Sequence, residues 1–448
     1  MQINNSKKNL QKINAAQPVA KEIADYRDTW RVFRIMAELV EGYQFLSKFK
    51  KEVTILGSAR FPGTHSYYAI ARELGALLAN NGFTTITGGG PGIMEAANRG
   101  AYEAGGESVG LNIQLQHEQR ANPYVKKSTA FYYFFTRKVM LTSPADAFVF
   151  FPGGYGTMDE FFEIVDHMDL GVMTKVPVVL VGREYWGPLI AFLRKSCCGI
   201  HAISDDVIDS WSVVDTAADA YACISEAKET RNICEIDPNS FYCGGNIDWK
   251  IFRVMAELVE GFEFLTGLTH AVTVLGTKSI GSEHRYYEAA RILGERAAEH
   301  GFSVVTGGKT GIAEAVNKGA FERGGNSLGI GMKVGQNAQV NPYMNKSILF
   351  QFPFTRKLMI TAPTKAFVFF PGGFGTLHQL FEILTLIQTK KIKRRPVILF
   401  DHAFWEPLHA FIKEVFVHKI GTIDEKDDEI YQIVDTPEAA MKLIEQIV

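Results

Sequence analysis

Two short stretches of this chain carry the residue types best suited to chemistry. FPGGYGTMDE (151–160) runs from an apolar segment through paired glycines to Thr157 and the acid Glu160, and FFTRKVML (134–141) sets Arg137 and Lys138 into an otherwise apolar helical pattern. A strand that passes through glycines into a helix turns unpaired N–H groups and the positive end of the helix dipole toward one point, which is how a phosphate is held. A carboxylate beside that point can orient water, accept a proton or stabilise a developing cation. An arginine that interrupts an apolar helix calls for an anion that its planar fork can grip. Thr157 and Glu160 also have the T-x-x-E spacing of a capping box, so a single copy would favour a purely structural role.

The chain supplies its own comparison, because the same words recur 219 residues later as FPGGFGTLHQ (370–379) and PFTRKLMI (353–360). Gln379 stands where the first copy has Glu160. Capping accepts either residue, whereas proton transfer and cation stabilisation need the acid. The first copy is therefore read as chemically intact and the second as having lost that function. The duplication runs without a gap from RIMAELVEGYQFL (34–46), repeated as RVMAELVEGFEFL (253–265), to Trp186 and Trp405. A period this long is that of a domain with its own core rather than of a solenoid unit. The reading is a tail over 1–27, a first domain over 28–225, a linker over 226–246 where Gly, Pro, Asn and charge collect, and a second domain over 247–448.

Each copy alternates short apolar runs with helix-length periodic segments. The pattern predicts a helix with Trp30, Phe33, Met36, Val40 and Tyr43 on one face, strands at 52–57, 83–88, 108–113, 147–151 and 176–182, and helices near 66–81, from 92, over 135–142 and from Thr157. A long polar loop separates the third strand from the helix of Arg137. This is α/β patterning: two tandem Rossmann-like, doubly wound parallel sheets with ligand loops at the carboxyl ends of strands, at Gly57, Gly88 and Pro152. None of the loops has the G-x-G-x-x-G of a dinucleotide site or the G-x-x-x-x-G-K-[ST] of a P-loop.

Composition narrows the class. With 46% hydrophobic and 21% charged residues the chain is expected to be globular, and a formal net charge of -2 gives no global pull toward nucleic acid or an anionic membrane. The five cysteines form no C-x-x-C pair, and the segment MQINNSKKNLQKINAAQ has no apolar stretch of the signal-peptide kind, so a cytoplasmic setting is expected. His65, His117 and His167 lack metal-ligand spacing, so no metal is expected. The run KKIKRR (390–395) reads as a solvated loop.

Taken together, Arg137-Lys138 followed by PGGYGTMDE resembles the signature of the Lonely Guy family of nucleoside 5′-monophosphate phosphoribohydrolases, and the likeness extends to GSAR (57–60), GGGPGIMEAANRGA (88–101), the HEQ of 117–119 and DTWRVFRIMAELVEG (28–42). It covers nearly the whole chain in two copies and is closest to the longer bacterial type. The resemblance implies hydrolysis of an N-glycosidic bond, giving a free base and ribose 5-phosphate from AMP-like or cytokinin nucleotides, without a cofactor. It implies Arg137 and Glu160 as the catalytic pair and Gly153, Gly154, Gly156 and Thr157 around the 5′-phosphate with Lys138 nearby. Glu118 would contact sugar or base, and Gly57 and Ser58 would close the cleft. In the second copy Arg356, Gly372, Gly373, Gly375 and Thr376 would form a binding site without the acid. Where many members carry Thr in the helix after the motif, the first copy has Asp166 and the second Thr385, which bears on base preference. The family's dimers imply that the two copies pair as an internal pseudo-dimer, with further homo-oligomers open. The alternative is a non-catalytic nucleotide- or cofactor-binding protein, the reading that Gln379 favours for the second copy.

Overall fold

The computed structural model describes residues 19–114, 121–225, 247–268, 270–333 and 340–446, so the expected linker and Glu118 lie outside the described residues. The first half runs α1 (Val19–Leu46), β1 (Glu52–Leu56), α2 (Ser66–Asn80), β2 (Thr84–Thr87), α3 (Ile93–Glu103), β3 (Ser108–Ile113), β4 (Lys127–Phe131), α4 (Phe134–Thr142), β5 (Ala145–Phe150), α5 (Tyr155–Asp169), β6 (Val178–Val181), α6 (Arg183–Phe192), α7 (Asp205–Asp209), β7 (Ser212–Val214) and α8 (Ala217–Ser225). The second half repeats this order, with a short 3-10 helix (Glu425–Ile430) in place of α7, as α9 (Ile247–Phe264), β8 (Ala271–Leu275), α10 (Arg285–Glu299), β9 (Ser303–Thr306), α11 (Ile312–Glu322), β10 (Ser327–Met332), β11 (Lys346–Phe350), α12 (Pro353–Thr361), β12 (Thr364–Phe369), α13 (Phe374–Gln388), β13 (Val397–Phe400), α14 (His402–Phe411), β14 (Tyr431–Val434) and α15 (Pro437–Glu445). No helix among the described residues is long and apolar enough to cross a membrane.

Each half forms one seven-stranded parallel sheet, ordered β4-β3-β2-β1-β5-β6-β7 and β11-β10-β9-β8-β12-β13-β14. Strands covered on both faces must be apolar on both, and β1 is buried throughout. The pleat then divides the side chains. Val53, Ile55, Val149 and Val179 enter a core beneath α2 and α3, and Val272, Val274, Val368 and Ile398 enter its counterpart in the second half. Leu56, Phe148, Phe150 and Leu180 point the other way, into a single core that continues through Leu275, Phe367, Phe369 and Leu399 of the second half.

The two halves meet there through α5 and α13. Phe162 stacks on its own counterpart Phe381 at 5.4 Å, and Phe135 on its counterpart Phe354 at 5.7 Å. A residue that meets its own copy is the mark of a two-fold relation between surfaces.

Three local expectations are corrected. Part of the long polar loop is an edge strand, β4, whose sequence KSTAF looks like loop because only its last residue is buried. The apolar face chosen for the first helix is not the one that packs: Val32, Ile35, Leu39 and Leu46 are buried, Met36 and Tyr43 half-buried, and Phe33 and Val40 remain exposed. The side chain of Trp30 lies outside the described residues. The third correction, the start of α5, changes the reading of the site.

Candidate active site

Strand order reverses between β1 and β5, the crevice where such sheets bind ligands. Gly57 and Ser58 leave β1 there and Pro152 to Gly154 leave β5. The Ser58 N–H donates to the Pro152 carbonyl at 3.0 Å, which fixes the two loops side by side. Helix α5 begins at Tyr155, three residues earlier than a T-x-x-E box capped by Thr157 requires, with Gly154 at its cap position and no side-chain cap. Thr157 is then the third helical residue and Glu160 the sixth, so the expected capping box does not form. The first-turn N–H groups of such a helix have no intrahelical acceptor and can take an anion. Thr157 explains one glycine: a Cβ on Gly153 would lie 2.0 Å from the Thr157 hydroxyl oxygen.

Freed from capping, Glu160 faces Arg137. The Arg137 Nε–H donates to the Leu111 carbonyl at 2.9 Å, and Nη2 lies 3.5 Å from Glu160 Oε1, both side chains being largely buried. Gly88 makes room for this, since a Cβ there would come within 2.3 Å of Arg137 Nη2. Burial raises the pKa of Glu160, and Arg137 works against that rise.

The helix that carries Arg137 is itself anchored by a residue that sequence reasoning missed. Glu38 of α1 accepts hydrogen bonds from the N–H groups of Tyr132 and Tyr133, at 2.8 and 3.2 Å, and from the Thr136 hydroxyl at 2.5 Å. Glu257 does the same for α12 through Gln351, Phe352 and Thr355. The available signal was the strongest repeated word, MAELVEG, which contains both acids.

Lys138, expected near the phosphate, has its ammonium engaged by acids of α5. Its ammonium is buried 2.5 Å from Asp159 and 3.3 Å from Glu163, with 2% of its side chain exposed. Burial alone would lower its pKa, but Asp159, Glu163 and Glu382 outweigh that and hold it raised, so it stays charged inside the core. Its counterpart Lys357 meets His378 at 2.8 Å in place of an acid, and reaches Glu163 of the first half at 3.8 Å. Burial, together with Lys357 and Lys138, lowers the His378 pKa well below its usual range and keeps the ring neutral.

Each cleft also borrows from the other half. Thr385 lies against Gly156, and Asp166 against Gly375, 3.9 and 3.1 Å from where a Cβ on each glycine would sit. The position expected to tune the first copy from within is thus crossed over: the threonine of the second half borders the first cleft, and Asp166 borders the second. Thr422 donates to the Gly153 carbonyl at 3.2 Å, and Arg60 pairs with Asp424 at 2.7 Å across the mouth of the first cleft.

The second cleft repeats the frame without the acid. Arg356 Nε donates to the Ile330 carbonyl at 2.8 Å, and Arg356, Gly373, Gly375, Thr376 and Gln379 line a cavity of about 180 Å³. Gly372 packs against the Thr376 hydroxyl as Gly153 does against that of Thr157.

A family model described as "Possible lysine decarboxylase" matches residues 94–224 and 313–444, once in each half. A cytokinin riboside 5′-monophosphate phosphoribohydrolase of Arabidopsis thaliana is 31% identical over 153 residues, 34% of this chain and 71% of its own. A second Arabidopsis enzyme of the same description is 29% identical over 212 residues, 46% of this chain and 93% of its own. One from Rhodococcoides fascians is 29% identical over 150 residues, 33% of this chain and 75% of its own. Among solved structures, the molybdenum cofactor binding protein from Rippkaea orientalis aligns with 41% of this chain and 99% of its own at 20% identity and a TM-score of 0.32.

Proposed function

This chain belongs to the Lonely Guy family, in two tandem copies, and from that premise we propose that its first half hydrolyses the N-glycosidic bond of a nucleoside 5′-monophosphate to free base and ribose 5-phosphate. The observation that carries the reading is Glu160, released from any capping role and set 3.5 Å from Arg137 beside the N-terminus of α5. Gly153, Gly154, Gly156 and Thr157 hold the 5′-phosphate, and Gly57 and Ser58 close the opposite side. With the phosphate anchored remotely, binding energy fixes the ribose so that C1′ faces the carboxylate.

The C1′–N bond breaks with its electron pair leaving on the base nitrogen, and Glu160 stabilises the oxocarbenium-like ribosyl group. Water adds its oxygen to C1′ and gives its proton to Glu160, which passes it to the departing base. Arg137 keeps Glu160 ionised against the effect of burial and orients it. Domains over 28–225 and 247–448 act as an internal pseudo-dimer in this account, with Thr385 and Thr422 of the second half completing the first cleft. The second half, with Arg356, Gly372, Gly373, Gly375 and Thr376 but no acid, binds a phosphorylated ligand without turning it over. Incubation with AMP, GMP, CMP and isopentenyl-AMP is expected to release ribose 5-phosphate from at least one, and silence from a folded protein with all four contradicts the reading.

A further inference from the structure

The second cleft differs from the first by more than a lost acid. Lys278 stands where the first half has Ala59, on the turn after β8, and Lys309 stands where it has Gly90, on the turn after β9. Both line the cavity that Arg356 and the start of α13 enclose. The two turns are tied together, since the Thr310 hydroxyl donates to the Lys278 carbonyl at 3.1 Å.

Among the described residues, neither lysine nor the Arg356 guanidinium takes part in an ion pair. The Lys309 amine is pushed below its ordinary value by burial and by Lys278 and Arg356, while Asp166 opposes that shift. Like charges gathered in a partly buried cleft are costly until an anion offsets them. Gln379, only 6% exposed and lining the same cavity, makes no side-chain hydrogen bond among the described residues and so has donors and an acceptor to offer.

In the first cleft Arg137 and Glu160 cancel. In the second, Lys278, Lys309 and Arg356 are opposed by buried Asp166 and by Asp169 at the exposed edge, while the fourth cation lining the cavity, Lys357, is paired with Glu163.

We propose that the second cleft binds, without hydrolysing it, a ligand carrying two linked phosphates, of the nucleoside diphosphate class. The inference rests on reading the second half as a phosphate-binding site without turnover, and it names that site's ligand. One phosphate takes the place at the N-terminus of α13 beside Arg356, as the single phosphate does in the first half. Lys278 and Lys309 form a second anion subsite that the first half lacks, and Gln379 hydrogen-bonds where the acid would have acted. Asp166, reaching in from the first half, weakens binding of any anion there and is the cleft's built-in brake.

Calorimetric titration of the full chain with AMP, ADP, ATP, inorganic phosphate and inorganic pyrophosphate tests this. One site per chain is expected to take ADP at least tenfold more tightly than AMP, with no ribose 5-phosphate released from ADP. Lys278→Ala with Lys309→Gly, which restores the first half's residues, should remove that preference and leave hydrolysis by the first cleft within twofold of wild type. Asp166→Asn should tighten ADP binding several-fold. Lysine-dependent pyrophosphate binding as tight as that of ADP assigns recognition to the diphosphate group itself, and weaker binding shows that the nucleoside also contributes; both support the proposal. Equal affinity for AMP and ADP, with AMP bound, overturns it while leaving the second half a phosphate site, as does a preference that survives the double substitution. Failure of every ligand to bind overturns both.

Discussion

At the level of single residues, one acid, Glu160, is held between the effect of burial and that of an arginine. Because burial raises the Glu160 pKa above its ordinary 4.5, kcat/KM is expected to fall on the acid side with a midpoint above that value. Arg137 opposes the rise, so Arg137→Gln should move the midpoint further up; an unmoved acid limb would show that another group titrates. The same shift has a stability consequence. A folded pKa raised above the unfolded one gives a contribution that is full below the unfolded pKa and lost as pH rises through the folded one. Glu160→Gln should therefore melt higher than wild type at neutral pH, with the difference vanishing below about pH 4.5, which thermal denaturation across pH would show. The acid itself was legible in the sequence, because the second copy spelled Gln379 at its position. Its freedom from capping was not, since a helix that starts at Tyr155 rather than after a cap at Thr157 keeps the same letters and changes only their place in the turn. The pairing of Lys138 with Asp159 and Glu163 was hidden for a related reason: adjacent residues on a helix face different ways, and the letters do not say which acids each one meets.

At the element scale, the helix of Arg137 owes its position to an acid on another helix. Glu38→Ala removes three hydrogen bonds to a carboxylate and should cost about 2–3 kcal/mol of stability while lowering kcat tenfold or more. Glu257→Ala should cost a similar amount and leave the turnover of the first cleft close to wild type. Denaturant unfolding beside the hydrolysis assay separates the two effects, and equal losses of kcat in both variants would contradict the assignment of chemistry to one half. Strands and helices with strong apolar periodicity were readable to within a few residues, β3 to the residue. Edge strand β4 was not, because an edge buries little and its letters are polar. Glu38 gave no local signal either, as its partners lie 94 to 98 residues away in sequence.

At the scale of the whole molecule, two sheets share one core, so the halves should unfold together. Phe381→Ala removes a fully buried ring stacked on Phe162 and is expected to cost about 3–5 kcal/mol, seen as one displaced transition for the entire chain. Two separate transitions, with only the later one moved, would argue that the halves fold as independent units. The duplication was plain from the 219-residue repeat, and so was the fold class. That Thr385 and Asp166 serve each other's clefts was invisible, since spacing within a helix says nothing about which partner the helix will meet. The division of labour between the halves is tested most directly by ribose 5-phosphate release from AMP, or whichever monophosphate wild type cleaves best, by Glu160→Gln in the full chain. The substitution rewrites the first cleft's acid as the amide that the second half already carries. Release is expected to fall by a factor of about a thousand or more with nucleotide binding retained, a loss of roughly 4 kcal/mol of transition-state stabilisation; release within a few-fold of wild type would contradict the assignment of catalysis to Glu160.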